Sequence, residues 1–137
     1  MNYLMPKIKR FSVILSLIVI SCQPDDSVDS GDVRDEYVGE WICTETSQIF
    51  GTSNYTVTIT KDTLDDIIKV ANLYNIGDQN QVLFTVFDNN ISINTQTVEG
   101  NTFSGNGTSE TDYSTFNLNY TAVSGGDSDN VTSTFTK

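Results

Sequence analysis

The chain has 137 residues, enough for one domain, with 18 acidic residues against 7 basic ones and a net charge of −11. Its few cations form no basic stripe that could neutralise phosphates, which excludes nucleic-acid binding. It contains no histidine, so Ser-His triads, imidazole acid/base catalysis and His-ligated zinc are excluded as well.

In chain order, Lys7, Lys9 and Arg10 form a positive segment, and the run from Phe11 to Ile20 is apolar except for Ser12 and Ser16. A run this short cannot span a bilayer, which takes about 20 apolar residues, but it suits the hydrophobic region of a signal peptide. Val19-Ile20-Ser21-Cys22 resembles the bacterial lipobox. That resemblance implies a signal peptide over 1–21, cleavage before Cys22, and acylation of its thiol by diacylglyceryl and palmitate-like chains. Two or three such chains anchor a protein to a membrane almost permanently. Removal of Lys7, Lys9 and Arg10 leaves four cations against all 18 acids, a charge of −14, so attachment to anionic lipid would come from the acyl chains and not from charge. With Cys22 acylated, Cys43 has no disulfide partner in the chain.

Gln23-Pro24-Asp25-Asp26 is similar to the acidic signals that route Bacteroidetes lipoproteins to the outer leaflet of the outer membrane, implying display at the cell surface. The remainder of 22–36 is acidic and poor in apolar residues, and reads as a disordered spacer.

From Tyr37 onward the chain alternates with period two. Tyr55-Thr56-Val57-Thr58-Ile59-Thr60 puts apolar side chains on one face and threonine on the other, the pattern of a half-buried strand. The same parity turns inward Trp41 and Cys43, then Val82, Phe84 and Val86, then Ile91 and Ile93, then Phe116, Leu118 and Tyr120, and finally Val131 and Phe135. Asp88-Asn89-Asn90, Gly100-Asn101 and Gly125-Gly126-Asp127 mark reversals. With strand candidates at 67–73 and 102–107, about eight short strands are expected. The fold class is therefore all-β, a small antiparallel meander barrel or sandwich. Residues 61–73 are ambiguous, because Leu64, Ile67, Ile68 and Ala71 also have helical spacing.

Tyr37-Val38-Gly39-Glu40-Trp41 resembles the Gly-x-Trp opening of lipocalin-like barrels, and 37–137 as a whole is similar to small lipocalin-like lipoproteins of Bacteroidetes. The Thr102 to Thr108 segment and the Phe135-Thr136-Lys137 ending add to the likeness, although the last strand has no arginine to lie over the tryptophan. The resemblance implies a barrel with Trp41 at its closed end and a small apolar or amphipathic ligand. Trp41, Tyr55, Phe84, Phe116 and Tyr120 are the candidate ligand-contacting residues. The alternative is an accessory protein whose barrel is filled by side chains and whose outer surface contacts another envelope protein. In either case Trp41 needs a buried apolar site, as pocket floor or as core plug.

No catalytic residue, metal ligand or cofactor is assigned. Asp65-Asp66 and the pair Glu110 and Asp112 are read as solvated turn residues and not as a glycosidase couple. Gly125 to Asn130 begins like an oxygen-rich calcium loop but lacks its distal glutamate, so a hairpin turn is expected there. Cys43 is read as a buried thiol with no base to activate it.

Overall fold

The computed structural model describes residues 31–137. The signal peptide, the lipobox with Cys22, and Asp25-Asp26 lie outside the described residues.

Eight antiparallel strands follow one another around a closed barrel: β1 (Gly39–Ser47), β2 (Gly51–Lys61), β3 (Ile67–Ala71), β4 (Gln81–Phe87), β5 (Asn90–Val98), β6 (Asn101–Ser109), β7 (Thr115–Ser124) and β8 (Asp127–Thr136). β1 pairs with β2 on one side, Trp41 opposite Val57, and with β8 on the other, Cys43 opposite Phe135. This closure removes both sheet edges. The expected meander of about eight strands is the fold observed, and of the two architectures considered it is the barrel.

Period-two parity survives along the barrel. Trp41, Val57, Ile59, Phe84, Val86, Phe116, Leu118, Tyr120 and Phe135 all point inward and are buried. Tyr55, expected among them, is only half-buried. Its strand pairs with β3 only from Thr58 onward, so Tyr55 lies beyond the cover of that neighbour, at the barrel mouth. The ambiguous 61–73 stretch forms no α-helix, and a short 3₁₀ turn begins only at its last residue, Leu73. Asp66 takes a left-handed turn at φ 65°, after which Ile68 and Val70 face the core from β3, paired with Phe84 and Val82.

The turns sort to two ends. The connections after β2, β4 and β6, together with both ends of the described chain, lie at the Trp41 end, and those after β1, β3, β5 and β7 lie at the other. The Trp41 end is closed by aromatic packing. The Trp41 ring meets Phe116 edge-on at 4.9 Å, and Phe116 stacks on Phe135 at 4.2 Å. Trp41 Nε1 donates to the Tyr37 carbonyl at 2.7 Å. The cation absent from the last strand is supplied just beyond it: Lys137 Nζ stands 5.0 Å from the centre of the Trp41 ring and donates to the Glu36 carbonyl at 2.6 Å.

The expected disordered spacer over 22–36 is corrected in its described part. Asp32 caps a 3₁₀ turn over Val33–Glu36 by accepting from Arg34 N at 3.0 Å, and Arg34 Nη2 pairs with the Asp32 carboxylate at 2.7 Å. The Arg34 hydrogen bond holds the Asp32 carboxyl well below the usual carboxylate range, against the opposing effect of burial. Arg34 also donates to the Leu64 carbonyl at 2.8 Å, and Lys61 bonds Asp35. Composition alone hides these partners, because each lies on a distant part of the chain. Asp32 to Glu36 are therefore packed against the barrel together with Tyr37.

Candidate functional site

The five candidate ligand residues fall into two layers. Trp41, Phe84 and Phe116 belong to the apolar core of the closed half, where all three are buried. Tyr55 and Tyr120 lie towards the open mouth, and they converge on a residue the sequence reading did not single out, Glu45.

Glu45 is 3% exposed. It shares the inward parity of Trp41 and Cys43 on β1, and its Oε2 accepts hydrogen bonds from the hydroxyls of Tyr55 and Tyr120, with Ser133 Oγ at 3.4 Å. All three donors reach the same oxygen. Among the described residues nothing donates to Oε1, and no buried polar side-chain atom is left without a partner. Oε1 therefore keeps some contact with solvent, and Glu45 lines the cleft described below. Burial raises the Glu45 carboxyl above its ordinary value of 4.5, opposed by the three hydroxyl donors. The same burial raises the Tyr55 and Tyr120 phenols and pushes the Cys43 thiol up to about 12.

A second inward carboxylate, Asp129 on β8, is 2% exposed and fully partnered. Its Oδ1 accepts from the backbone N–H groups of Gln48 at 2.9 Å and Ile49 at 3.3 Å. Its Oδ2 accepts from Ser47 Oγ at 2.5 Å and Tyr74 Oη at 2.6 Å. Burial works to raise this carboxyl, but the donors prevail and hold it below its ordinary value. The calcium-loop comparison of 125–130 is thereby resolved as a turn. Gly125-Gly126 reverse the chain, and Asp129 faces the barrel interior from β8. Among the described residues no group of three or more acidic or cysteine side chains is placed to hold a metal. Asp65, Asp66, Glu110 and Asp112 are all exposed, as turn residues.

Tyr74 joins the two carboxylates. It sits in the β3–β4 loop, where Asn72, Tyr74 and Asn75 all take left-handed backbone angles of 54° to 69° in φ. A bulky residue in that region is uncommon and signals local strain held by its surroundings. Here Asn72 does the holding, donating from Nδ2 to Thr56 O at 2.9 Å and accepting at Oδ1 from Gly77 N at 2.8 Å. The loop then folds Tyr74 over the mouth. Its ring meets Phe50 and Phe103 edge-on, each at 6.0 Å, and its backbone N–H donates to Tyr55 Oη at 2.8 Å.

Two clefts flank this aromatic plug. One, of about 330 Å³, is lined by Glu45, Phe50, Ser53, Tyr74, Asn75, Ile76 and Asn101. The other, of about 270 Å³, lies towards Asp127 and Asp129 and shares Phe50, Tyr74 and Asn101. A third concavity of about 520 Å³ lies on the outer face of β1, β6, β7 and β8 and is lined mainly by polar side chains such as Thr46, Gln48, Asn119 and Asn130. None of the three is lined by Trp41, Phe84 or Phe116. The structure thus places Trp41 as a core plug, and the open space lies at the opposite end.

Glu45 and Asp129 were legible as inward-facing by the strand parity that places Trp41 and Phe135. Tyr74 and Phe50 had no such signal, since both sit in connections.

No protein-family model matches the chain, and no curated protein matches it. Among solved structures it is similar to a redesigned beta barrel, with a TM-score of 0.57 and 15% identity over 79% of this chain and 96% of that one. The likeness and the observed topology define the class, a small all-antiparallel closed β-barrel. At that identity the comparison carries the fold alone.

Proposed function

We propose that this protein is a lipid-anchored lipoprotein of the bacterial outer membrane whose lipocalin-like barrel binds a small amphipathic molecule at its open mouth and performs no catalysis. The observation that carries the binding reading is the cleft of about 330 Å³ beside Tyr74, which joins apolar walls from Phe50, Tyr74 and Ile76 to polar groups of Glu45, Ser53 and Asn101. Such a mixture of apolar surface and a few convergent polar groups, in a volume of at least about 300 Å³, is what small-ligand sites present. The ligand then sits at the mouth and not on Trp41.

The anchoring reading rests on the lipobox resemblance at Cys22. Only nine residues separate Cys22 from Asp32, a reach of at most about 35 Å when fully extended. The Val33–Glu36 turn lies at the closed end of the barrel. An anchor at Cys22 therefore holds the closed end towards the bilayer and leaves the mouth free to face away from it, open to ligands from the aqueous phase.

A second reading, a filled barrel acting as an accessory to another envelope protein, is favoured by the stacked aromatic core at the closed end. One panel of amphiphiles separates the two. Octylammonium, octanol and octanoate are titrated into isotopically labelled protein, and the amide resonances of Phe50, Tyr74 and Ile76 are followed. Shifts confined to the mouth with at least one probe support binding; no shift with any probe removes the binding reading and leaves the accessory one. For the anchor, Cys22→Ala is expected to abolish partitioning into the detergent phase, and a variant that still partitions overturns lipidation at that residue.

A further inference from the structure

We infer that the ligand of the mouth cleft is a monocationic amphiphile, a primary or substituted ammonium carrying one short apolar group, with its cation on Glu45 Oε1. This inference rests on the binding reading above and adds to it the charge of the ligand.

The asymmetry of the Glu45 carboxylate carries the inference. Its Oε2 is saturated by Tyr55, Tyr120 and Ser133, whereas no protein group donates to Oε1, although the residue is 97% buried by its 3% exposure. A carboxylate held among hydroxyl donors with one oxygen left open to a cleft is an acceptor awaiting a donor. Asp129 supplies the contrast. Four donors occupy both of its oxygens, and it serves to tie Tyr74 and the β1–β2 turn in place. Of the two buried carboxylates, the one lining the larger mouth cleft is the one with spare capacity.

The remaining lining fits the rest of such a ligand. Phe50 is 75% exposed at the rim, and its ring and that of Tyr74 offer faces to a cation on its way in, while Ile76 adds aliphatic wall. Ser53, Asn75 and Asn101 supply neutral hydrogen-bonding groups, and the cleft lining contains no lysine or arginine to receive an anion. The acidic surface, with its large excess of carboxylates, also raises the local concentration of cations around the mouth and disfavours anionic amphiphiles. A neutral alcohol could fill the apolar part of the cleft but would bring no charge to Oε1.

The test compares octylammonium, octanol and octanoate, which share one apolar chain, on the full chain and on Glu45→Gln. The substitution keeps an acceptor for the Tyr55 and Tyr120 hydroxyls and places an amide NH₂ where Oε1 stands. Octylammonium is expected to bind the wild-type protein at least about tenfold more tightly than octanol, because only the ammonium adds an opposite charge to the hydrogen bond that either headgroup can donate. Glu45→Gln is expected to remove that preference, so that octylammonium binds no more tightly than octanol. Equal affinity for octylammonium and octanol in the wild-type protein overturns the ammonium assignment while leaving the cleft as an amphiphile site. A preference that survives in Glu45→Gln overturns it too, since the general acidity of the surface then accounts for it. Binding of none of the three probes overturns the binding reading itself. Should Glu45→Gln fail to fold, the wild-type ranking is repeated at low and at high salt: a preference for octylammonium over octanol that persists at high salt supports pairing with the buried Glu45 carboxylate, and one that disappears is that of the exposed acidic surface and overturns the assignment.

Discussion

The Tyr74 hydroxyl donates to Asp129 Oδ2 at 2.6 Å across the barrel mouth, linking the β3–β4 loop to β8. Through the other carboxylate oxygen the same aspartate holds the backbone of Gln48 and Ile49 in the β1–β2 turn. One buried side chain therefore fixes two of the four connections that frame the mouth. Tyr74→Phe removes a single donor and is expected to cost about 1 kcal/mol in urea denaturation, since the aspartate keeps its other partners. Asp129→Ala strands several donors at once and is expected to cost about 3 kcal/mol or more. If both variants unfold at the wild-type urea midpoint, the mouth is not held by this carboxylate.

At the opposite end, Trp41→Ala deletes the largest core side chain, its hydrogen bond to the Tyr37 carbonyl and the edge contact with Phe116. The expected loss is about 3 to 5 kcal/mol, a large fraction of the stability of a domain this size. Lys137→Ala removes the cation beside the ring together with its exposed hydrogen bond to the Glu36 carbonyl, and is expected to cost about 0.5 to 1 kcal/mol. A stably folded Trp41→Ala protein that selectively loses amphiphile binding would return Trp41 to the role of a ligand floor.

The strands were legible in the sequence because they face water on one side. Alternation such as Val57-Thr58-Ile59 then records which side is which, whereas closure into a barrel and not a sandwich is not legible there, because it depends on the pairing of β1 with the distant β8. Parity also carried Glu45 and Asp129 inward, but their polarity masked them in a reading that searched the inward positions for apolar side chains. The Tyr74 plug left no trace, because left-handed angles at Asn72, Tyr74 and Asn75 depend on the contacts of Asn72 with Thr56 and Gly77. The ordering of 32–36 was hidden for the same reason, since Arg34 finds its carbonyl partners in the distant β2–β3 connection. Local chemistry specifies strands; long-range hydrogen bonds specify how the loops between them settle.

Gly105 and Gly107 on β6 have a packing role. Both lie on the inward parity set by Phe103, where a Cβ at Gly105 would overlap the Asn119 carbonyl oxygen and Tyr120 Cβ, and one at Gly107 would overlap the Asn117 carbonyl oxygen. The backbone of β7 leaves no room to yield. Gly107→Ala is expected to destabilise the barrel by about 1 to 3 kcal/mol or more, as overpacking does, although alanine is the smallest addition available. A Gly107→Ala protein with an unchanged melting temperature would show that β6 and β7 separate easily at this point.

Cys43 lies between Trp41 and Glu45 on β1, fully buried, with burial pushing its thiol up to about 12. At pH 8 almost none of it is thiolate, and the side chain is shielded from solvent. Native protein is therefore expected to resist iodoacetamide at pH 8 for hours, and to react fully within minutes in denaturant, by intact-mass measurement. Rapid alkylation of the native protein would indicate that the interior opens at the Glu45 layer on that timescale.

The two buried carboxylates make opposite contributions to stability as pH changes. Asp129 has a folded value below its ordinary 3.8, so its contribution is present above that value and is lost only as pH falls through the lowered one. Glu45 has a folded value above 4.5. Its neutral form is therefore favoured by folding, and the stability this brings is complete below pH 4.5 and lost as pH rises through the raised value. The groups facing it do not mask this change, because the phenols of Tyr55 and Tyr120 and the thiol of Cys43 are all raised and stay neutral across pH 4 to 8, while Asp129 stays charged over most of it. Glu45→Gln replaces the titrating group by a permanently neutral one of the same shape. The variant is thus expected to match the wild-type protein near pH 4 and to become the more stable of the two towards pH 8, the difference growing between pH 4.5 and the raised value and then levelling. Urea denaturation at pH 4, 6 and 8 gives that difference directly. A variant less stable than wild type by a constant amount at all three pH values would mean that Glu45 is charged throughout and held by its hydroxyl donors against the cost of burial.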